Sequence, residues 1–183
     1  MTTYEGDQQF RQDSGWQNSS TDQGMRKVAD RLTQAMARDE LVQATVHNLR
    51  AKLQSDRVVL YYFYAQWEGQ VTFEALGTHA MSIVGSKGPD QCFNGDYAAL
   101  YEAGRVRAIP DIELEPIQEC HRNFLRQLMV RANLVVPVIN GQRLWGLLIA
   151  HHCRSARPWS LSDIDNLRQG AETLAKAPSI LQS

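Results

Sequence analysis

The chain has 183 residues, of which 43% are hydrophobic and 21% are charged, and its formal net charge is −1 at pH 7. This length suits one well-buried core and would be cramped for two full domains. A nearly neutral chain has no general basic field, which disfavours nucleic acid and anionic membranes as partners. The apolar runs are too short to span a bilayer, and no secretory signal pattern opens the chain. Three widely spaced cysteines predict reduced thiols in a cytoplasmic protein and no disulfide framework.

Hydrophobic periodicity and turn residues predict a domain that mixes helices and strands. Residues 1–20 show no periodicity and are expected to form a flexible N-terminal arm, which leaves residues 21–183 as one domain. In chain order the predicted elements are a helix from residue 22 to about 38, a second helix to about 53, strands over 57–64 and 70–76, a loop over 77–96, a short helix over 97–103, a short strand over 106–109, a helix over 117–128, strands over 132–139 and 144–151, and a C-terminal helix capped by Ser160.

The element order predicts an α+β sandwich. Asn140-Gly141 separates two apolar strands and is a strong hairpin signal, so the sheet is expected to be antiparallel. The terminal helices carry apolar stripes and must cover one face of that sheet. The middle segment then covers the other face as a layer of loops and helices, and a ligand pocket is expected beneath it.

Two cysteine-containing pairs are the first candidates for chemistry. Cys120 and His121 open a predicted helix, where the positive end of the helix dipole favours a reactive thiolate. Cys92 stands between Asp90 and Phe93 in the long loop, where a carboxylate could hold a nitrogen-bound proton. From the residues alone, an inert cysteine beside a solvated neighbour remains open at both places.

Basic residues near the predicted strands are the second group of candidates. His151 and His152 end a strand, and alternation sends their rings to opposite faces, so at most one enters a shared pocket. Zinc is disfavoured because metal ligands must share a face and no Cys-X-X-Cys accompanies the histidines. Arg105 and Arg107 could hold ligand carboxylates through the guanidinium fork, or could simply be solvated.

Four groups of residues occur together in an order that resembles the chromophore-binding GAF domains of cyanobacteriochromes, which are relatives of phytochromes. The first, at 90–93, looks like the family's Asp-X-Cys-Phe motif, and the second covers 101–112. The third is Cys120-His121, similar to the bilin-attachment pair, and the fourth joins 131–137 to 144–151. The separation of Cys92 and Cys120, 120 − 92 = 28 residues, fits the family's two-cysteine subgroup.

The resemblance implies a GAF-type antiparallel sheet and a photoreceptor domain that is not an enzyme. Its cofactor would be phycocyanobilin or phycoviolobilin, joined by a thioether to Cys120, and light would drive Z/E isomerisation of this linear tetrapyrrole. Cys92 would add reversibly to the bridge between the middle rings, giving a violet- or blue-absorbing state and a green- or orange-absorbing photoproduct. The residues implied to contact the bilin are Asp90, Cys92, Phe93, Tyr97, Arg105, Arg107, Cys120, His121 and His151.

Some points depart from the family pattern or remain open. The stretch 113–119 is acidic and contains Pro116, which puts the approach to Cys120 in question, and Arg122 replaces an apolar residue of some relatives, which leaves the exposure of the pocket open. Output or signalling domains are expected to couple through the terminal helices, and a homodimer is left open. The alternatives are a thiol-dependent enzyme similar to free methionine sulfoxide reductases, a GAF module that binds a small ligand without pigment, and a GAF scaffold that dimerises.

Overall fold

A computed structural model of the protein describes residues 15–65, 68–88 and 95–183, with side chains from residue 23 onward. Within these residues the helices are α1 (Gly15–Met36), α2 (Glu40–Leu53), α3 (Gly95–Glu102), α4 (Glu119–Gln127), α5 (Leu161–Leu174) and α6 (Pro178–Leu181). The strands are β1 (Arg57–Ala65), β2 (Glu68–Leu76), β3 (Arg107–Ile109), β4 (Ala132–Asn140) and β5 (Arg143–His152). A 3₁₀ turn occupies His79–Met81.

The five strands form one sheet in the order β2-β1-β5-β4-β3. Every neighbouring pair is antiparallel, so the predicted α+β fold with an antiparallel sheet is confirmed. Strand β5 lies at the centre, and its apolar sequence agrees with burial on both faces. The ends of β1 and β5 meet where Arg57 pairs with His151.

Alternation along β1 divides the sheet into two apolar faces. Val58, Leu60 and Tyr62 belong to the larger core, which the helices at both ends of the chain cover. The intervening residues Val59 and Tyr61 belong to a second cluster on the opposite face. The terminal helices therefore form one layer, as predicted, and the middle segment forms the other.

Local side-chain bonds determine where two helices of the terminal layer begin. The Asp39 carboxylate accepts hydrogen bonds from the backbone N–H groups of Leu41 and Val42, so α2 restarts at the predicted break. Ser160 caps α5 and forms a reciprocal capping box with Asp163, as the sequence predicts.

Two predicted boundaries are wrong. Helix α1 begins at Gly15, inside the predicted arm. The prediction placed its start too late because the polar residues there form no apolar stripe. The turn between β4 and β5 consists of Gly141 and Gln142, since Asn140 pairs with Arg143. Gly141 has a φ of 65°, a left-handed conformation that costs glycine little. Residues 1–14 of the predicted arm lie outside the described residues.

Candidate functional site

A cavity lies between the sheet face opposite the terminal helices and the layer that contains α3 and α4. Its apolar walls come from the sheet, the segment after β2, and α4; they include Val59, Phe63, Val71, Ile83, Ile109, Ile117, Phe124, Leu125, Leu128, Val135, Leu147 and Ile149. Mostly apolar walls with a few convergent polar groups are typical of a site for an organic ligand.

Three aromatic hydroxyl groups border the cavity. Tyr61 Oη accepts a hydrogen bond from the backbone N–H of Gly88 at 3.1 Å, which ties the segment after β2 to the sheet. Tyr97 and Tyr101 come from α3 and line the opposite side. Burial is the main cause that raises the pKa of Tyr101 to about 12, so its hydroxyl remains protonated.

The two predicted arginines both line the cavity, and they differ in their partners. Arg107 Nη2 lies 2.7 Å from Glu115 Oε1 in an ion pair that is partly buried. The Arg105 guanidinium lies 5.8 Å from the centre of the Tyr97 ring, and it has no ion pair with any residue in the described part of the chain. Arg105 therefore has more donors to offer to a ligand carboxylate than Arg107 has.

Cys120 and His121 occupy the first turn of α4, at one end of the cavity. Cys120 is exposed, and the residues that flank it in the cavity wall are Gln118 and His121. Cys120 Sγ lies 3.6 Å from Gln118 Oε1. His121 is half-buried, and burial, followed by the nearby Arg107 charge, lowers the pKa of its imidazole. The His121 ring therefore lines the cavity, and Cys120 directly precedes it in the chain.

The cysteine redox state differs from the prediction of reduced thiols. The structure records Cys120 as disulfide-bonded, whereas Cys153 is a free thiol. Cys153 is partly buried beside Asp56 and Arg57, and burial raises the pKa of its thiol. Neither of these two cysteines lines the cavity, and Cys120 directly precedes His121, which does.

The acidic stretch before α4 is neutralised by arginines. Glu113 pairs with Arg126, Glu115 pairs with Arg107, and Glu119 pairs with both Arg122 and Arg126. The Arg122 guanidinium also donates to four backbone carbonyls, those of Ile112, Glu113, Glu115 and Ile117. Arg122 thus fastens the loop that leads to Cys120.

His151 and His152 point to opposite sides of the sheet, as alternation predicts. His151 is buried and lines the cavity, and its Nδ1 accepts a hydrogen bond from Arg57 Nε at 2.8 Å. His152 is half-exposed, and its Nδ1 lies 3.0 Å from the Ser155 carbonyl oxygen. In the described residues no group of three or more His, Cys, Asp or Glu side chains could hold a metal ion.

Sequence reasoning missed two polar residues near His151: Asn133, which lines the cavity, and Arg57, which bonds His151. Arg57 reads as a polar residue at a strand start, yet its side chain is fully buried. Asn133 lines the cavity from β4, is 4% exposed and is the direct cross-strand partner of His151. A polar residue inside an apolar strand was the signal for Asn133, since burial of an amide requires a partner. The predicted site residues Asp90, Cys92 and Phe93 lie outside the described residues.

A family model described as GAF domain matches residues 37–177. The chain belongs to the GAF domain family. An uncharacterised protein of Picosynechococcus sp. is 47% identical to it over 84% of this chain and 94% of the relative. Further relatives include a putative methyl-accepting chemotaxis protein and the circadian input-output histidine kinase CikA, both of Synechocystis, of which this GAF domain spans only 14% and 24%.

Solved structures of GAF domains agree in both fold and sequence. The blue-light absorbing form of the PixJ GAF domain of Thermosynechococcus elongatus is 36% identical, with a TM-score of 0.67 over 73% of this chain and 82% of that chain. A phycocyanobilin-bound GAF domain from a cyanobacterial phytochrome is 27% identical, with a TM-score of 0.68 over 87% and 94% of the two chains. The assignment to the cyanobacteriochrome and phytochrome group of GAF domains is confirmed.

The PixJ GAF domain and the putative chemotaxis protein are described by light absorption and chemotaxis, and the prediction that this GAF domain is not an enzyme agrees with them. The alternative of a thiol-dependent reductase therefore receives no support. No helix in the described part of the chain is long and apolar enough to cross a bilayer.

Proposed function

We propose that this GAF domain is a light sensor that holds a linear tetrapyrrole in the cavity between its sheet and α4, joined to Cys120. The observation that carries the proposal is an apolar cavity whose wall includes His121, the residue that directly follows the exposed Cys120. A bilin has a long apolar body with polar pyrrole nitrogens and two carboxylates, and these walls offer partners for each part.

The proposed attachment is a thioether between the Cys120 sulfur and a side-chain carbon of the A-ring. Addition of an S–H group across a carbon–carbon double bond places the sulfur on one carbon and the hydrogen on the other, so no oxidant is needed. Since the disulfide form of Cys120 cannot add in this way, attachment requires its reduction to the thiol first. His121, held neutral by burial, would then face the pyrrole nitrogens.

The two arginines on the cavity wall are the proposed partners of the propionates. Arg105 is the stronger candidate because Arg107 already shares its charge with Glu115 at 2.7 Å. Arg107 could hold a carboxylate only in addition to that ion pair. Tyr97 lies beneath the Arg105 guanidinium and would pack beside the bound pigment.

The two-cysteine photocycle is a further part of the proposal. Cys92 would add its sulfur to the bridge carbon between the middle rings, while its proton moves to a pyrrole nitrogen. The saturated bridge divides the conjugated system, which shifts absorption to violet or blue. D-ring isomerisation and loss of this bond would restore conjugation and give a green- or orange-absorbing form. The likeness to the PixJ GAF domain, solved in a blue-light absorbing form, supports this reading, as does the spacing of the two cysteines.

The experiment that tests this function is an absorption spectrum of the reduced protein produced with phycocyanobilin, taken before and after violet or blue light. Reversible conversion between a blue form and a green or orange form is expected. Cys120→Ala should remove pigment that resists denaturation, and Cys92→Ala should keep the pigment but lose the blue form. Cys153→Ala is the matched control, because Cys153 is a free thiol away from the cavity wall, and it should leave both forms unchanged.

Different failures identify different errors. A pigment that absorbs at long wavelength in both light conditions rejects the role of Cys92 and keeps the sensor. A colourless protein rejects the sensor and favours a GAF module for a small ligand. Isolation of the attached pigment decides between phycocyanobilin and phycoviolobilin, because these isomers differ in their conjugation.

We also propose how this domain connects to other domains and where it acts. Several relatives are much longer than this chain, which supports coupling to output or signalling domains through the terminal helices in the cytoplasm. Sedimentation in each light state would test whether the terminal helices also form a homodimer.

A further inference from the structure

The charged groups on the cavity wall are unbalanced. In the described residues the wall includes two arginines, Arg105 and Arg107, and no aspartate or glutamate. The two histidines on the wall, His121 and His151, add no charge at pH 7, because burial and a nearby arginine lower the pKa of each ring. The wall therefore carries two positive charges, and an acid that pairs with one of them from behind affects how an anionic ligand is held.

Glu115 is the acid that reaches this wall. It directly precedes Pro116 in the chain, and residues 116–118 line the cavity. Its Oε1 lies 2.7 Å from Arg107 Nη2, in a contact of one oxygen with one nitrogen. The Arg107 and Glu115 side chains are 29% and 23% exposed. Such a single, partly exposed contact leaves the other guanidinium donors of Arg107 available to a second carboxylate.

The backbone around Glu115 is held without this ion pair. Its N–H donates to the Asp111 carbonyl oxygen at 3.1 Å. Its own carbonyl oxygen accepts from Arg122 Nη2 at 3.2 Å and from the N–H of Ile117 at 2.8 Å. Removal of the carboxylate charge therefore leaves the main-chain contacts of the loop in place, and its main effect is on the charge of Arg107.

Arg105 provides the contrast. It forms no ion pair with any residue that the structure describes, and its guanidinium lies 5.8 Å from the centre of the Tyr97 ring. A ring face attracts a cation and does not neutralise it, so Arg105 keeps its full charge. A ligand carboxylate on Arg105 meets an uncompensated cation. A carboxylate on Arg107 also meets the repulsion of Glu115 across the shared guanidinium.

We propose that Glu115 is a resident counter-ion that makes the cavity select for one ligand carboxylate, held by Arg105, and weakens the hold of Arg107 on a second one. The proposal rests on the proposed function, because the two propionates of a bilin are the carboxylates concerned. Glu115 is then a positioning residue, which acts on the ligand through Arg107. Loss of its charge should convert a site for one carboxylate into a site for two.

The test measures reversible binding of phycocyanobilin and of its dimethyl ester to the full reduced chain with Cys120→Ala, which removes the proposed covalent bond. The ester keeps the tetrapyrrole and loses both negative charges. The ratio of diacid to diester affinity therefore reports the carboxylate contacts, and a general loss of packing does not move it. Glu115→Gln should raise this ratio about tenfold, because it removes the repulsion between two anions on one guanidinium.

Further variants in the same chain show whether the effect passes through Arg107. Glu115→Gln combined with Arg107→Met should give no gain over Arg107→Met alone, because no carboxylate then binds at this position. Arg105→Met should lower the ratio more than Arg107→Met does. Glu115→Asp, which keeps the charge, should stay closer to the parent ratio than Glu115→Gln.

Glu113→Gln is the matched control. It removes the same charge from the same loop, but Glu113 pairs with Arg126, whose side chain is 45% exposed and does not line the cavity. Because solvent and salt screen a charge at the surface, this variant should leave the ratio nearly unchanged.

The outcomes separate the counter-ion from the light sensor. Equal ratios for Glu115→Gln and Glu113→Gln, or a gain that persists without Arg107, overturn the counter-ion while pigment binding stands. A parent chain that binds neither the diacid nor the diester overturns the sensor and the counter-ion together. If Glu115→Gln fails to fold, the two arginine variants decide, because a loss for Arg107→Met as large as that for Arg105→Met overturns the selection for Arg105.

Discussion

Two histidines of the cavity wall have their pKa values set by burial and by a nearby arginine. His121 and His151 both line the cavity and both have a lowered pKa, because burial and a nearby arginine disfavour the charged ring. The nearby arginine is Arg107 for His121 and Arg57 for His151. Only His151 is in direct hydrogen-bond contact with its arginine. The consequence is a cavity with neutral imidazoles as donors and acceptors.

The lowered histidine pKa values predict a loss of stability in mild acid. As pH falls through the ordinary histidine pKa of about 6.5, the unfolded chain binds protons that the folded chain does not yet bind. The free energy of unfolding should therefore fall as pH drops below about 6.5, before the paired carboxylates titrate. Urea unfolding across this range measures the slope.

Matched variants assign that slope. His151→Gln and His121→Gln should each flatten it, because a glutamine does not titrate. His79→Gln, at an exposed position, is the comparison variant. A slope that is equal in all three variants would mean that the buried rings are not its source.

The sequence identified the motif residues of the site and missed the groups that position them. Cys120, His121 and His151 belong to short motifs that can be recognised from one sequence alone. Arg57 and Asn133 carry no such motif, and their burial depends on strands that are distant in the chain. Register brings Asn133 opposite His151, and register is a property of the sheet rather than of any local pattern.

At the scale of elements, the loop before α4 is fastened mainly by one side chain. The Arg122 guanidinium donates to four carbonyls of residues 112–117, and its side chain is 15% exposed. Arg122→Met should therefore lower the free energy of unfolding by about 1–3 kcal/mol, since hydrogen bonds to a charged group are among the stronger ones. It should also slow the joining of pigment to Cys120, because the loop leads to that cysteine.

Arg126 provides a control from the same helix. Its side chain is 45% exposed and pairs with Glu113 and Glu119 on the surface. Arg126→Met should cost less than about 1 kcal/mol, as exposed ion pairs do. Equal losses in urea unfolding for the two variants would show that the carbonyl contacts of Arg122 do not hold the loop.

The contact between β1 and β5 sets a limit on side-chain size at Gly146. A Cβ atom at this position would overlap the Tyr61 backbone oxygen of the neighbouring strand. Gly146→Ala should destabilise the domain by roughly 1–3 kcal/mol, because the two strands would have to move apart. Gly24→Ala in α1 is the control: no atom lies within 4 Å of its added Cβ, and alanine favours a helix. A loss in urea unfolding as large for Gly24→Ala as for Gly146→Ala would reject this steric explanation.

Patterns in the sequence located most elements, and the errors have physical reasons. Strands β1, β4 and β5 are rich in β-branched residues and were predicted within one or two residues. The first turns of α1 were missed because their residues are polar, and α6 was missed because it is only four residues long. The β4–β5 turn was placed one residue early because the Asn-Gly signal does not determine the register by itself.

At the scale of the molecule, one sheet separates the proposed pigment layer from the helices. Val59, Tyr61 and Phe63 face the cavity, while Leu60 and Tyr62 between them pack toward the terminal helices. A change at the cavity that shifts β1 must therefore also move the side chains that pack against the terminal helices. Alternate side chains of β1 face the cavity and the helices, and a close-packed core transmits such a shift. This arrangement gives the proposed light response a direct physical route to the terminal helices.

The burial of α1 side chains in the helical layer predicts where the folding unit begins. The family match starts at residue 37, yet Leu32 and Met36 of α1 are 5% and 0% exposed in the main core. Leu32→Ala and Met36→Ala should each lower the free energy of unfolding in urea by roughly 2–5 kcal/mol. Val28→Ala, on the same helix at a position that is 48% exposed, should change it by no more than about 0.5 kcal/mol. If all three variants are as stable as the parent chain, α1 is an appendage and the unit begins at α2; the expected losses would place α1 within the domain, in contact with the sheet that carries the cavity.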